Sequence, residues 1–89
     1  MRIDRLRSGV TYVGWSDFLT IEEWSEHCRW MFEPTKGKCM DEVVHERAVK
    51  LGMTCIAMSC FEHGPGFLFE NDNPASLEDR VKKLYPQLV

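Results

Sequence analysis

The sequence predicts a small α+β domain in which a single layer of helices packs on an antiparallel sheet, in the order β-α-α-β-β-α. A chain of 89 residues with 44% hydrophobic content can bury one compact core and has no length for a second. Two segments carry apolar residues at helical spacing behind recognisable start signals, and an apolar run followed by a glycine-rich turn predicts a hairpin. We therefore expect residues 1–89 to form one domain.

The first strand is predicted over residues 10–15, where β-branched and aromatic residues follow the turn signal Ser8-Gly9. Residues 2–7 precede that turn. They either pair with the first strand as a hairpin arm or stay irregular, and the pattern leaves both alternatives open.

The first helix begins after Thr20, whose side chain can cap the amide of Glu23 while Glu23 reaches back, and it ends before Pro34. Its apolar stripe is predicted to face the core. The stripe consists of Ile21, Trp24, Cys28, Met31 and Phe32.

Two further helices are predicted from the same kinds of signal. The second covers residues 40–51 and ends at Gly52, and its buried face is formed by Met40, Val43, Val44, Ala48 and Leu51. The third is expected to start with Ser76 as its cap and Asp79 completing a capping box. It should end near Tyr85, because a residue that precedes proline disfavours helical geometry.

Residues 53–61 are apolar at both alternating positions, as in a strand that is covered on two sides. A turn over residues 62–66 and a return over residues 67–70 predict an antiparallel hairpin. If residues 67–70 form an exposed edge, they either offer a strand for pairing with a second copy or form an ordinary edge that the charge of Glu70 protects. The oligomeric state is otherwise left open by the sequence.

The formal charge of −3 and the pI near 5.5 argue against a general nucleic-acid binder. Such binding would depend on five basic residues, with Tyr12 or Trp15 stacking on bases. The five are Arg2, Arg5, Arg7, Lys36 and Lys38. No run is long enough to cross a membrane, and the N-terminus does not resemble a signal peptide. These features predict a cytoplasmic protein with reduced cysteines and no membrane partner.

A metal site is disfavoured by spacing, although the chain has four cysteines and three histidines. No C-x-x-C pair is present, and the best candidate joins Cys60 and His63 to Cys28 or Cys39. The run from His45 to Val49 opens like the H-E-x-x-H zinc motif, but Val49 stands where the second histidine is required. No catalytic or cofactor motif is found, so we expect neither an enzyme nor a cofactor.

Trp30 is predicted to point away from the apolar stripe of the first helix, among the carboxylates of Glu22, Glu23, Glu26 and Glu33. An indole on an acidic ridge suits a protein partner with a basic surface, because the ring buries area and the acids steer the approach. The alternative is that the N-terminal segment folds over Trp30 and pairs its arginines with Glu22 and Glu26.

The functional prediction is a non-catalytic protein-binding module, such as a stoichiometric inhibitor, an immunity-type protein or an adaptor. Small acidic chains of this kind are often encoded by phages or mobile elements, which makes a viral protein one expectation. The alternative prediction is a metal- or nucleic-acid-linked regulator that uses the cysteine, histidine and N-terminal arginine residues.

Overall fold

The computed structural model describes residues 1–58 and 64–89, which form a four-stranded antiparallel sheet with three α-helices. The strands are β1 (Ile3–Arg7), β2 (Val10–Gly14), β3 (Cys55–Ala57) and β4 (Gly66–Glu70). The helices are α1 (Ile21–Phe32), α2 (Asp41–Lys50) and α3 (Pro74–Leu84), with 3₁₀ turns at Trp15–Phe18 and Pro86–Leu88. The predicted α+β class is confirmed, and the order gains one strand at its start.

That added strand answers the question left open for the N-terminal residues. β1 pairs with β2 as an antiparallel hairpin that places Ile3 opposite Val13. The turn between them uses Gly9 at a φ of 75°, a conformation that side chains other than glycine rarely adopt. The hairpin-arm alternative is therefore the correct one.

β4 lies inside the sheet, because the strand order is β1-β2-β4-β3. It pairs with β2 through Phe69 opposite Thr11, and with β3 through Phe67 opposite Ile56. The predicted antiparallel pairing of these two C-terminal strands is confirmed, while residues 59–63 lie outside the described residues. The expectation of a strand over residues 53–61 that is covered on two sides is wrong, because β3 covers Cys55–Ala57 at the edge of the sheet and Ile56 is 47% exposed. The expectation of an exposed edge at residues 67–70 is wrong, because β4 has a hydrogen-bonded neighbour on each side.

The core lies on the sheet face that carries Val13, Phe67 and Phe69, all of which are buried. Phe67 meets Phe18 of the first 3₁₀ turn edge to face, with ring centroids 5.2 Å apart. Helices α2 and α3 close this face with Val44, Ala48, Leu77 and Val81. Each large side chain buried in this way contributes about 1.5–3 kcal/mol, so the core depends on α2 and α3.

The ends of α2 and α3 follow local chemistry, with one correction. Gly52 ends α2 with a φ of 95°, as predicted. The predicted cap of α3 is wrong by three residues, because the side chain of Asn73 accepts the Ser76 amide at 2.9 Å and Pro74 takes the first helical position. Asparagine followed by proline is a stronger start signal than Ser76, which lies inside the first turn.

Candidate functional site

An ion pair connects helix α1 to helix α2. The guanidinium of Arg47 donates two hydrogen bonds to the carboxylate of Glu23, at 2.8 and 2.7 Å, and a third to the carbonyl of Phe18 at 2.7 Å. These bonds from Arg47 lower the pKa of Glu23 from 4.5 to about 2, against an opposing effect of burial. Glu23 also completes the predicted capping box with Thr20, which is confirmed.

A second set of polar contacts holds the other half of α1 against the following loop. The Met40 amide donates to Nδ1 of His27 at 3.1 Å, and the Lys38 amide donates to the Glu26 carbonyl at 3.2 Å. A Cβ on Gly37 would lie 2.2 Å from the backbone nitrogen of Trp30, so only glycine fits at this approach. The loop therefore lies directly on the helix backbone.

These contacts give α1 an inward face different from the predicted one. Glu23, His27 and Trp30 face inward, while Ile21 is 82% exposed and Phe32 is 86% exposed. The expectation that the apolar stripe packs on the core is therefore wrong. Apolar periodicity does not account for a buried ion pair or a histidine that accepts a backbone amide, and here those contacts set the rotation of the helix.

The structure does not form the predicted acidic surface in which Trp30 stands among four glutamates. Trp30 does not stand among carboxylates in water, because its ring is half-buried with its centroid 5.5 Å from that of His27. Among the described residues, Glu22 has no cationic partner. The other three glutamates are paired, Glu23 with Arg47, Glu26 with Arg29 and Glu33 with Lys36.

The alternative in which the N-terminal arginines pair with Glu22 and Glu26 is wrong as well. Arg2 contacts Asp4 at 3.2 Å, and Glu26 contacts Arg29 at 2.7 Å. The N-terminal segment is engaged in the sheet as β1, so it is not available to cover Trp30 in that way.

A groove of about 990 Å³ lies between α1 and the end of the sheet where β2 ends and β4 begins. Trp24, His27, Trp30 and Met31 line its helical side. On the sheet side Gly14 and Gly66 face each other across the strand pair. A Cβ on Gly66 would lie 2.6 Å from the ring of Tyr12, so the missing side chain allows that ring to lie across the strand.

Four rings in this groove form the aromatic cluster, defined as Trp15, Trp24, His27 and Trp30. His27 is its centre, with ring centroids 4.8 Å from Trp15, 6.0 Å from Trp24 and 5.5 Å from Trp30. Trp15 and Trp24 meet each other edge to face at 6.3 Å. Indole rings combine a large apolar area with electron-rich faces, which suit both apolar groups and cations.

One rim of the groove is organised by Asp41, at the start of α2. Its carboxylate accepts the indole N–H of Trp15 at 3.1 Å and lies 3.4 Å from Nε2 of His45. The ring of His45 in turn packs edge to face on Phe67, at 5.4 Å. These contacts fix the orientation of Trp15 in the aromatic cluster.

Among the described residues that line the groove, the formal charges are mainly negative. Asp4, Asp17 and Asp41 contribute three carboxylates, and Arg2 contributes one guanidinium that is already engaged by Asp4. Asp17 is half-buried and has no hydrogen-bond or ion-pair partner within residues 1–58 and 64–89. An aromatic groove with excess negative charge attracts cationic groups.

Sequence reasoning identified Trp30 but missed Asp17 and Asp41, and it considered Trp15 only for base stacking. One signal was available. The three tryptophans of the chain all fall within residues 15–30, at a strand end and on the helix that follows it. That concentration indicates a shared surface, although it does not identify the acidic residues that line it.

In the parts of the chain that the structure describes, no group of three potential metal ligands is found, and Cys28, Cys39 and Cys55 are free thiols. The predicted candidate pair Cys60 and His63 lies outside those parts. No described helix has the length and apolar character needed to cross a bilayer. Comparison with protein-family models, curated proteins and solved structures finds no match to this chain.

Proposed function

We propose that this protein is a non-catalytic binding module that holds a basic segment of a protein partner in the groove beside α1. An inhibitor, an immunity-type protein or an adaptor would act in this way. The observation that carries the proposal is the groove itself. Its described residues combine an aromatic cluster with carboxylates that outnumber guanidinium groups. One of these carboxylates, Asp17, has no cationic partner in the described parts of the chain.

The dimensions and chemistry of the groove favour a peptide segment. Its volume of about 990 Å³ is large enough to hold a peptide side chain together with the backbone beside it. Tryptophan is enriched among the residues that dominate protein interfaces. The exposed side chains of Ile56 and Met58 on its sheet side extend the apolar contact area. On the outside of α1, Glu22 adds a negative charge that no described residue pairs with.

The polar groups on the rim support binding more than catalysis. Asp41 already accepts from Trp15 and lies against His45, so this carboxylate serves to orient an indole. An arrangement that fixes rings and leaves a carboxylate open suits recognition of a cation.

A displayed library of random peptides tests the proposal without a known partner. We expect sequences selected by the folded protein to be rich in arginine and lysine, and their binding to weaken with added salt because the carboxylates attract them. Selected sequences without basic enrichment would contradict the proposal.

Two neighbouring substitutions localise the binding to the groove. Met31→Arg adds a positive charge to the groove wall, whereas Phe32→Arg adds the same charge on the outer face of the same helix. Both side chains are exposed, so both variants should fold. We expect Met31→Arg to weaken binding of a selected basic peptide by about tenfold or more, and Phe32→Arg to weaken it far less. Equal losses would show that the groove is not the binding surface.

A further inference from the structure

We propose that the aromatic cluster and Asp17 form a receptor for one arginine side chain of the partner. The inference rests on the proposed function and specifies the chemistry of the group that the groove accepts. It depends on three features of the described residues: an open carboxylate, electron-rich rings and a free imidazole N–H.

The carboxylate of Asp17 supplies the negative charge. It belongs to the same 3₁₀ turn as Trp15, and both side chains line the groove. Its Oδ2 lies 3.0 Å from the position that a Cβ on Gly14 would occupy, so the carboxylate leans over a strand end that has no side chain. A half-buried carboxylate has lost part of its hydration, and a cation in the groove would restore that stabilisation.

The basic side chains that line the groove are engaged by residues other than Asp17. Arg2 faces the groove, but its guanidinium is engaged by Asp4, and His45 lies against Asp41. His27 uses Nδ1 to accept the Met40 amide. Within the described residues, no positively charged group therefore bonds to Asp17.

The rings supply the second feature. The indole of Trp24 lies nearly parallel to His27, at 24°, and keeps 40% of its surface exposed, while Trp15 and Trp30 are tilted by 49° and 36° to the same imidazole. Indole is the strongest partner among protein side chains for a cation over its face. A guanidinium is planar and weakly hydrated, so it stacks on such rings and still presents paired N–H groups to a carboxylate.

His27 supplies the third feature. Because Nδ1 accepts a backbone amide, the neutral ring carries its proton on Nε2. The ring is about nine-tenths buried and lines the groove, and Nε2 has no hydrogen-bond partner in the described parts of the chain. Because no buried side-chain nitrogen or oxygen of the described residues lacks a partner, this N–H reaches the solvent of the groove, where it can donate to the peptide carbonyl next to an arginine side chain.

These features together favour arginine over lysine. A lysine ammonium is a compact, strongly hydrated charge with no plane to stack on the aromatic cluster. A lysine would neutralise Asp17 but would gain less from the rings. A preference for arginine over lysine therefore distinguishes this inference from a general attraction to positive charge.

Three capped amino acids serve as probes: N-acetyl-arginine N-methylamide and its citrulline and lysine counterparts. Citrulline matches arginine in shape but is neutral. In a titration followed by the NMR signals of the three indole N–H groups, we expect saturable shifts with the arginine probe. We expect affinities weaker by about tenfold or more for citrulline and by a smaller factor for lysine.

Asp17→Asn is the decisive variant, and Asp79→Asn is its matched control. Both substitutions make the same change in net charge. Asp79 is exposed on α3 and does not line the groove, so its replacement makes that change away from the site. We expect Asp17→Asn to reduce the affinity for the arginine probe to that for citrulline and Asp79→Asn to leave it unchanged. Because Asp17 has no partner among the described residues, Asp17→Asn removes no contact and should not lower the melting temperature.

Equal affinities for arginine and citrulline, equal effects of the two asparagine variants, or no saturable binding would each overturn this inference. If selected basic peptides bind through the groove but lysine serves as well as arginine, the inference is wrong while the proposed function stands. If the library yields no basic peptides, the proposed function itself is wrong.

Discussion

The ion pair between Glu23 and Arg47 is expected to stabilise α1 in a pH-dependent way, and Glu23→Gln isolates that effect. Glutamine keeps the length of the side chain and an oxygen that can accept the Thr20 amide, so the capping box is retained. The substitution removes the negative charge, and with Oε1 kept on the Thr20 amide it replaces Oε2, which accepts from Nη2 of Arg47, by an amide nitrogen that cannot accept. Its effect on unfolding therefore reports the charge of the pair together with that hydrogen bond.

The size of the effect follows from the pKa of Glu23, which falls from 4.5 to about 2 in the folded protein. Each pKa unit corresponds to about 1.4 kcal/mol, so this shift sets an upper limit of about 3–4 kcal/mol on the contribution of the pair. The Glu23 side chain is 24% exposed and that of Arg47 is 14% exposed, so water and salt weaken the pair. We expect Glu23→Gln to lower the free energy of unfolding by about 1–2 kcal/mol at neutral pH.

The sign of the pH dependence is fixed by the direction of the shift. A carboxyl group with a lowered pKa in the folded state stabilises the fold above its unfolded pKa, near 4.5, and loses that contribution as the pH falls toward 2. The difference between the unmodified protein and Glu23→Gln should therefore be largest at neutral pH. It should shrink steadily in acid, because protonated glutamate and glutamine are equally uncharged.

Urea unfolding followed by tryptophan fluorescence, at several pH values and constant ionic strength, measures this difference. Glu22→Gln is the control, since Glu22 is the exposed neighbour without a cationic partner among the described residues, and its change should stay within about 0.5 kcal/mol. A difference for Glu23→Gln that stays constant from neutral to strongly acidic pH would refute the reasoning.

Two further substitutions test the contacts that define the elements. Gly37→Ala should lower the free energy of unfolding by about 1–3 kcal/mol in urea titrations. The reason is that the added Cβ would lie 2.2 Å from a backbone atom of Trp30 and 2.6 Å from one of Glu26. An unchanged unfolding midpoint would contradict this close approach. Asn73→Ala should cost about 1 kcal/mol by the same measurement through loss of the α3 cap, whereas Ser76→Ala should cost much less. A larger loss of stability for Ser76→Ala than for Asn73→Ala would show that Ser76 is the cap, as the sequence predicted.

Features set by neighbouring residues were predictable from sequence. The capping box at Thr20, the glycine end of α2 and the stripe that places Val44 and Ala48 in the core all depend on side chains within a few positions of one another. The pairing of β3 with β4 was also predictable, because the sequence has a turn signal between two apolar runs. The cap of α3 was missed because two capping signals stand three residues apart.

The inward face of α1 was not predictable, because distant polar residues determine it. Glu23 and Arg47 are separated by 24 positions, and nothing in the local pattern indicates that they meet. The groove was missed for the same reason. Its aromatic cluster is oriented by Asp41, which lies 26 positions from Trp15, so the site exists only after the helices have packed.

The way in which α1 is held links the stability of the fold to the proposed site. Ile21 and Phe32 stay in water, although burying each would be worth about 1.5–3 kcal/mol, so α1 owes its position chiefly to polar contacts. An element with few buried apolar side chains opens more readily than the core. Because α1 forms one wall of the groove and the sheet forms the other, a ligand that contacts both walls should stabilise α1 by binding. Slower hydrogen exchange of the α1 amides on addition of a selected basic peptide, with no change in α3, is the expected signature.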